Sequence, residues 1–406
     1  MGLVNMSGKK ALVARFRDEL VKRFVGNEDI IPILVLNLLH RKSTMLVRAP
    51  RGTGKSTLML LVLKGLFGDD FVVISGASEV KRGEVVGRLH IPSLEKRGRE
   101  KVLWARFVRA QGKGIDEVNR LNPYTTANIH HLMQFGEVWA YGQKYSVDDY
   151  TLVANENPND LTTFIQPPPF YDRFDIALYL NSLTVSQKFT LQELNNNYGY
   201  DLIRSMPHVM DPEDLSEIRR EVEETEVEPS IIGLINTLVR DFQACIRGKE
   251  HSTLPLPVLC EGCHFTRFVC SRVKEPPSER ATIVLLQLAK AMKWLEGKIS
   301  EDDVIGMARW ALIHRIGFLN PEKPLKEMNE LLERERERMF ERESRKQWFI
   351  LNELYTNFSP GLYRTAKEIA AEDNVFAEEL FSLEEKWVKE GKITREETLK
   401  VGLGIE

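Results

Sequence analysis

Thr44-Met45-Leu46-Val47-Arg48-Ala49-Pro50-Arg51-Gly52-Thr53-Gly54-Lys55-Ser56-Thr57 runs straight into Leu58-Met59-Leu60-Leu61-Val62-Leu63, and this stretch decides the fold. An apolar strand leads into a glycine turn, and the turn leads into an apolar helix. A phosphate-binding loop needs that context. Without side chains, Gly52 and Gly54 let their backbone N–H groups approach phosphate oxygens closely. A helix starting near Lys55 adds the positive end of its dipole. Lys55 is placed to reach β- and γ-phosphates, and Ser56 to ligate Mg²⁺. The loop pattern calls for glycine at position 49, where this chain has Ala49.

Outward from this loop, composition sets the bounds. The 406 residues suffice for two or three domains. A net charge of −3 gives no global basic field for nucleic acid. No apolar run is long enough to span a membrane and the N-terminus lacks a signal-peptide core, so a cytoplasmic protein is expected. Cys245, Cys260, Cys263 and Cys270 are the only cysteines, and they share one short window.

Apolar spacing predicts a helix over residues 10–25, a second from Ile30 to Leu39, and a short strand at Val72-Val73-Ile74. Residues 76–110 read as irregular, basic and glycine-rich, with a helix near Leu103 to Val108. Asp116-Glu117 then fits a pair in which the aspartate holds Mg²⁺ and the glutamate polarises the attacking water. The preceding Gln111-Gly112-Lys113-Gly114-Ile115 is a poor strand, so a solvated acidic pair is the competing reading. Residues Thr125 to Gln134 suit a helix, and Val138 to Tyr145 alternate around Gly142 like a hairpin. The strand Tyr150 to Ala154 ends on Asn155-Glu156-Asn157-Pro158, where a polar amide can meet a γ-phosphate. Residues 210–247 read as helical.

In this order the motifs resemble a MoxR-type AAA+ ATPase, in the helix-2-insert branch near magnesium-chelatase subunits and MCM-type motors. Val25-Gly26-Asn27-Glu28 matches the opening phrase, and Asp116-Glu117-Val118-Asn119-Arg120 the Walker B phrase. Ala154-Asn155-Glu156-Asn157-Pro158 matches sensor 1, making Asn157 the sensor. Tyr171-Asp172-Arg173-Phe174 matches the arginine-finger phrase, and Ser278-Glu279-Arg280-Ala281 sensor 2. The resemblance covers roughly residues 20–318. It implies ATP and Mg²⁺ as ligands, with Ala49 to Thr57 and Asp116 binding and Glu117, Asn157, Arg173 and Arg280 catalytic. It also implies a hexameric ring in which Arg173 serves the neighbouring subunit, and a protein partner that the cycle remodels. For Arg173 the plain alternative is a surface pair with Asp175. A nucleic-acid motor and an assembly scaffold with little hydrolysis are the rival readings. Trp139, Tyr141 and Lys144 of the hairpin are expected to face the ring channel or to pack on the domain.

The expected architecture is an α/β P-loop nucleotide domain over residues 1–180, with a parallel sheet, and a helical lid over 181–320. A charged helical linker over 321–347 and a winged-helix-like module over 348–406 follow. The lid carries an insertion over about 248–277 with Cys260-Glu261-Gly262-Cys263, His264 and Cys270. Four thiolates with Cys245, or three plus His264, suit structural zinc; a [4Fe–4S] cluster uses the same residues, and unlinked thiols are the third option. In the last module the candidate recognition helix carries Glu378, Glu379, Glu384 and Glu385. Residues 341–406 hold fourteen acids against ten bases, which favours a protein partner over DNA.

Overall fold

The computed structural model describes residues 2–98, 100–158, 160, 163–164, 166–243, 269–340, 347, 349–351, 353–355 and 357–403. The chain divides into two compact units, Met1–Thr225 with Gln287–Lys298, and Glu226–Leu286 with Ile299–Glu406.

Among the described residues the first unit holds nine strands: β1 (Ser43–Arg48), β2 (Phe71–Ser75), β3 (Gly87–Leu89), β4 (Val102–Trp104), β5 (Gly112–Asp116), β6 (Glu137–Ala140), β7 (Gln143–Ser146), β8 (Thr151–Glu156) and β9 (Ile176–Tyr179). Its helices, up to residue 225, are α1 (Gly2–Val21), α2 (Ile30–Leu38), α3 (Lys55–Phe67), α4 (Arg82–Val85), α5 (Ile91–Arg97), α6 (Arg106–Arg109), α7 (Pro123–Phe135), α8 (Pro168–Tyr171), α9 (Val185–Tyr198) and α10 (Pro212–Glu224). Five strands form one sheet in the order β2-β5-β8-β1-β9, and every neighbouring pair is parallel. Parallel strands need crossovers that cover both faces, which is why β1 and β8 are buried almost throughout. The loop–helix of the quoted stretch leaves the C-terminal end of β1, beside β8. Ligands of open α/β sheets bind at that edge.

The poor strand is a regular central strand. β5 pairs with β2 on one side and β8 on the other, and Lys113 in its middle is fully buried. Lys113 Nζ donates to the carbonyls of Phe107 (2.6 Å), Val108 (3.0 Å) and Ala110. Those carbonyls belong to the end of α6 and would otherwise lack donors. Around it, Gly112 and Gly114 leave room for α3. A Cβ at Gly112 would stand 2.6 Å from Phe67, and one at Gly114 would stand 3.0 Å from the Met59 sulfur. The strand therefore follows from its neighbours rather than from its own hydrophobicity.

Residues 76–110 are not irregular. They fold into α4, the antiparallel pair β3–β4 with α5 between the strands, and α6. The part read as a helix near Leu103 begins as strand β4, and only Arg106–Arg109 is helical. The second hairpin forms as read. β6 and β7 are antiparallel, and the tip residues Tyr141 and Gly142 have φ of 48° and 70°. Two successive left-handed residues give the turn that matches strand twist.

At the opposite edge of the sheet, Arg219 from α10 is 1% exposed. Its guanidinium pairs with Asp149 (2.7 Å) and donates to Thr151 Oγ1 (2.6 Å) and the Leu38 carbonyl (3.0 Å). A single saturated cation thus fixes α10 to the base of the sheet.

The run read as helical over 210–247 is helical in its described part, up to residue 243, but as two helices divided between the two units. α10 ends at Glu224, and a new helix, Pro229–Phe242, starts on a proline. The helices Glu301–Leu312 and Pro324–Phe340 follow, with Ser300 capping the first. The C-terminal module has its own core of Leu354, Tyr363, Phe376, Leu380, Phe381 and Trp387. It is helical, with Pro360–Ala370 and Asn374–Lys389 followed by the short helix Leu399–Gly402. Among the described residues no wing strand follows. Glu384, grouped with the exposed acids of the recognition helix, is 1% exposed. Its carboxylate accepts from the Tyr363 hydroxyl (2.5 Å) and the Leu399 backbone N–H (2.8 Å), which ties down the last helix.

Candidate functional site: a Walker-type nucleotide site

The loop has the shape its residues demand. Gly52 and Gly54 have φ of 77° and 86°, and Gly54 is the residue immediately before α3. A Cβ at Gly52 would meet no atom within 4 Å, so open space lies over the loop, as a phosphate cradle requires. Ala49 is not among the residues with positive φ, so the missing glycine brings no left-handed strain. Its backbone N–H donates to the Glu156 carbonyl (3.3 Å).

Lys55 Nζ lies across the loop, donating to the carbonyls of Ala49 (2.8 Å) and Pro50 (2.6 Å). Burial lowers its pKa, and the carboxylates of Glu117 and Asp116 oppose that shift. Thr53 Oγ1 donates to the Pro50 carbonyl (2.9 Å), which stiffens the turn. Ser56 Oγ donates to Asp116 Oδ1 at 2.9 Å, joining the start of α3 to the end of β5. A hydroxyl and a carboxylate side by side are the hard oxygen donors Mg²⁺ takes, so the residues fit the ion.

Glu117 follows in left-handed backbone, φ 55° and ψ 56°, which a non-glycine residue adopts only when its surroundings impose it. The buried Asn155 imposes it here: its Oδ1 accepts from the Glu117 backbone N–H at 2.9 Å. The Glu117 carboxylate meets Arg120 (2.8 Å), and Arg120 continues to Asp160 (2.6 Å), which also meets Arg51 of the loop (3.2 Å). The hydrogen bond to Asp160 raises the Arg120 pKa. Arg48 at the end of β1 donates to Glu156 (2.6 Å) and to the Tyr179 hydroxyl (2.9 Å), bracing the ends of β1, β8 and β9.

Asn157 lies just past β8, 7% exposed, and its carbonyl accepts from Asn119 Nδ2 (3.1 Å). The amide that holds Glu117 is Asn155, two residues earlier. The sequence carried a signal for it: a side chain within β8, where β8 pairs with β5, can reach the end of β5. Arg120 closes the Walker B phrase, but its bridge to Asp160 has no signal in the sequence. Arg120 meets Glu117 three residues away, but its partner Asp160 is forty residues on, and no local spacing connects those two.

Arg173 follows α8, with its guanidinium at Asp172 (3.3 Å) and Gln134 Oε1 (3.0 Å). Asp175 accepts from the backbone N–H (2.6 Å) and hydroxyl (2.9 Å) of Thr44. Arg280 heads the helix Arg280–Glu296 and belongs to the second unit. Cys245, Cys260, Cys263 and His264 lie outside the described residues. Cys270 is described and half-buried. Among the described residues no group of three or more His, Cys, Asp or Glu is placed to hold a metal ion, and no helix is long and apolar enough to cross a membrane.

The comparisons agree with this geometry. Residues 45–174 match the family model of the AAA domain, dynein-related subfamily. No curated protein matches the sequence. Among solved structures the fold is similar to that of a putative ATPase from Cytophaga hutchinsonii, at 20% identity and a TM-score of 0.63. That likeness covers 81% of this chain and 96% of the other. With the loop, the Ser56–Asp116 pair and the β2-β5-β8-β1-β9 order in place, residues 45–174 are similar to an AAA domain and carry the P-loop fold and site of an ATP hydrolase.

Proposed function

We propose that this chain binds ATP with Mg²⁺ at the end of β1, hydrolyses it with Glu117, and uses the cycle as a MoxR-like ring to remodel a partner protein. The observation that carries the catalytic part is the Ser56–Asp116 contact of 2.9 Å, with Glu117 next in sequence and held by Asn155. Bound Mg²⁺ would supply charge neutralisation at the phosphates. The loop N–H groups bind the phosphates. Lys55 exchanges its two loop carbonyls for phosphate oxygens. The Glu117 carboxylate orients and polarises the attacking water, and Asn157 is a γ-phosphate contact. In the ring, Arg173 reaches the neighbour's γ-phosphate and Arg280 acts from the lid. The exposed tip of the β6–β7 hairpin, with Trp139 and Tyr141 about half exposed, supports substrate gripping rather than packing. For the cysteine insertion, C-x-x-C spacing alone supports structural zinc, which elemental analysis of purified protein tests.

Phosphate release and nucleotide binding test the whole reading. Lys55→Ala should lose ATP binding, whereas Glu117→Gln should bind ATP and fail to hydrolyse it. Hydrolysis at the wild-type rate in Glu117→Gln would remove the assignment.

A further inference from the structure

The two hairpins of the first unit lie side by side. Gln143 Nε2 donates to the Glu100 carbonyl (2.9 Å), and Trp104 packs on Tyr145 with ring centroids 5.4 Å apart. Arg82 Nη2 donates to the Trp139 carbonyl (2.7 Å). Together they make one joint face, and its composition is specific. Arg88 and Leu103 are directly opposed across β3–β4, and both are exposed. α5 adds Ile91 and Leu94, 53% and 38% exposed. A cleft of about 570 Å³ opens beside the joint face, lined by Lys81, Arg82, Asn122 and Tyr124 among others.

Charge is segregated here. Residues 76–110 contain nine Lys or Arg against four Glu, a net of +5 in a chain whose total is −3. The remaining residues therefore sum to −8. Among the described residues Arg88 and Lys101 form no ion pair, and the Arg82 bond above ends on a carbonyl rather than a carboxylate. Unneutralised cations beside exposed aliphatic side chains attract carboxylates and apolar side chains at once.

We propose that this double-hairpin face docks an acidic polypeptide segment in which apolar side chains alternate with carboxylates. The proposal rests on the partner-remodelling reading and names the class of partner. A polynucleotide fits less well. Its phosphates would satisfy the cations and its bases could stack on Tyr124, Trp139 and Tyr141, but the exposed Ile91, Leu94 and Leu103 beside the cations are aliphatic and match apolar side chains instead.

The experiment is fluorescence anisotropy on the full-length chain with ATP present. The probes are a labelled Glu–Leu peptide, its Lys–Leu and Glu–Ser counterparts, and a single-stranded oligonucleotide. The Glu–Leu peptide should bind tightest, and added salt should weaken it. Arg88→Glu with Lys101→Glu should weaken it by about tenfold or more while leaving basal ATP hydrolysis unchanged. Arg88→Gln with Lys101→Gln gives the same direction should the reversal disturb folding. Equal affinity for the Lys–Leu peptide, no loss in either double variant, or tighter binding of the oligonucleotide would each overturn the proposal. Peptide binding in wild-type protein that hydrolyses no ATP would sink the ATPase reading and leave the docking surface standing.

Discussion

β1 and β5 reach the same site from the same sheet, yet they are built differently. β1 is Ser-Thr-Met-Leu-Val-Arg, apolar in the middle and buried by its own side chains. β5 is Gly-Lys-Gly-Ile-Asp, and it is equally central. Its glycines give their space to Phe67 and Met59 of α3, and its lysine caps three carbonyls. Hydrophobic burial holds β1, whereas close approach and saturated polar groups hold β5. On the proposed function the two strands also divide the chemistry: the loop after β1 handles the phosphates, and the end of β5 carries Asp116 and Glu117.

Substitutions at the two strand ends should separate binding from hydrolysis. Glu117→Gln should slow phosphate release by roughly a hundredfold or more with ATP affinity retained, while Lys55→Ala loses the affinity itself. If both variants lose binding equally, the division between the strands is wrong. Arg173→Ala should cut turnover by at least about tenfold with affinity kept. Mixing it with Glu117→Gln subunits should restore part of the activity if the arginine acts across an interface. Mixed rings that form and stay inactive would place its role within one subunit.

Inside the strands the expected effects are on stability. Leu46→Ala in β1 should cost about 2–5 kcal/mol by leaving a cavity. Lys113→Met in β5 should cost about 3 kcal/mol, because three buried carbonyls lose their donor. Thermal denaturation compares them, and an unchanged melting temperature for Lys113→Met would show that the carbonyls find other donors.

The smallest effect is pH dependence. Burial pushes the Lys113 pKa down to about 7 from 10.5. Between those values the unfolded chain binds more protons than the folded one, so stability rises with pH from about 7 towards 10.5. The three carbonyls pull the other way, since only the charged amine offers three N–H groups. Melting temperatures of wild type and Lys113→Met across that range measure the balance. A difference that does not grow with pH would mean the carbonyls hold the lysine charged.

Much of the nucleotide site could be read in the chain because its parts are local. Gly52 to Ser56 are contiguous, so the turn, the helix start and the donor set are written in one phrase. Asp116-Glu117 was legible as a pair, but its strand was not. Whether Gly112-Lys113-Gly114 forms a strand depends on the close approach of Phe67 and Met59, which are far away in sequence, and on the fold of the α6 turn just before it. The same holds for Asn155, whose role depends on the parallel pairing of β8 with β5.

The sequence by itself determined the P-loop, the α/β class and the β6–β7 hairpin. Each rests on glycine conformation or on side-chain periodicity, and both act within a few residues. Only the tertiary structure decided that β5 is a central strand, that Glu117 is held in left-handed backbone by Asn155, and that Glu384 faces inward. It also brought the two hairpins onto one basic, apolar face. Each of these rests on contacts between segments distant in sequence, such as Gly112 with Phe67, Glu117 with Asn155, Glu384 with Leu399 and Gln143 with Glu100, and such contacts leave no local pattern to read.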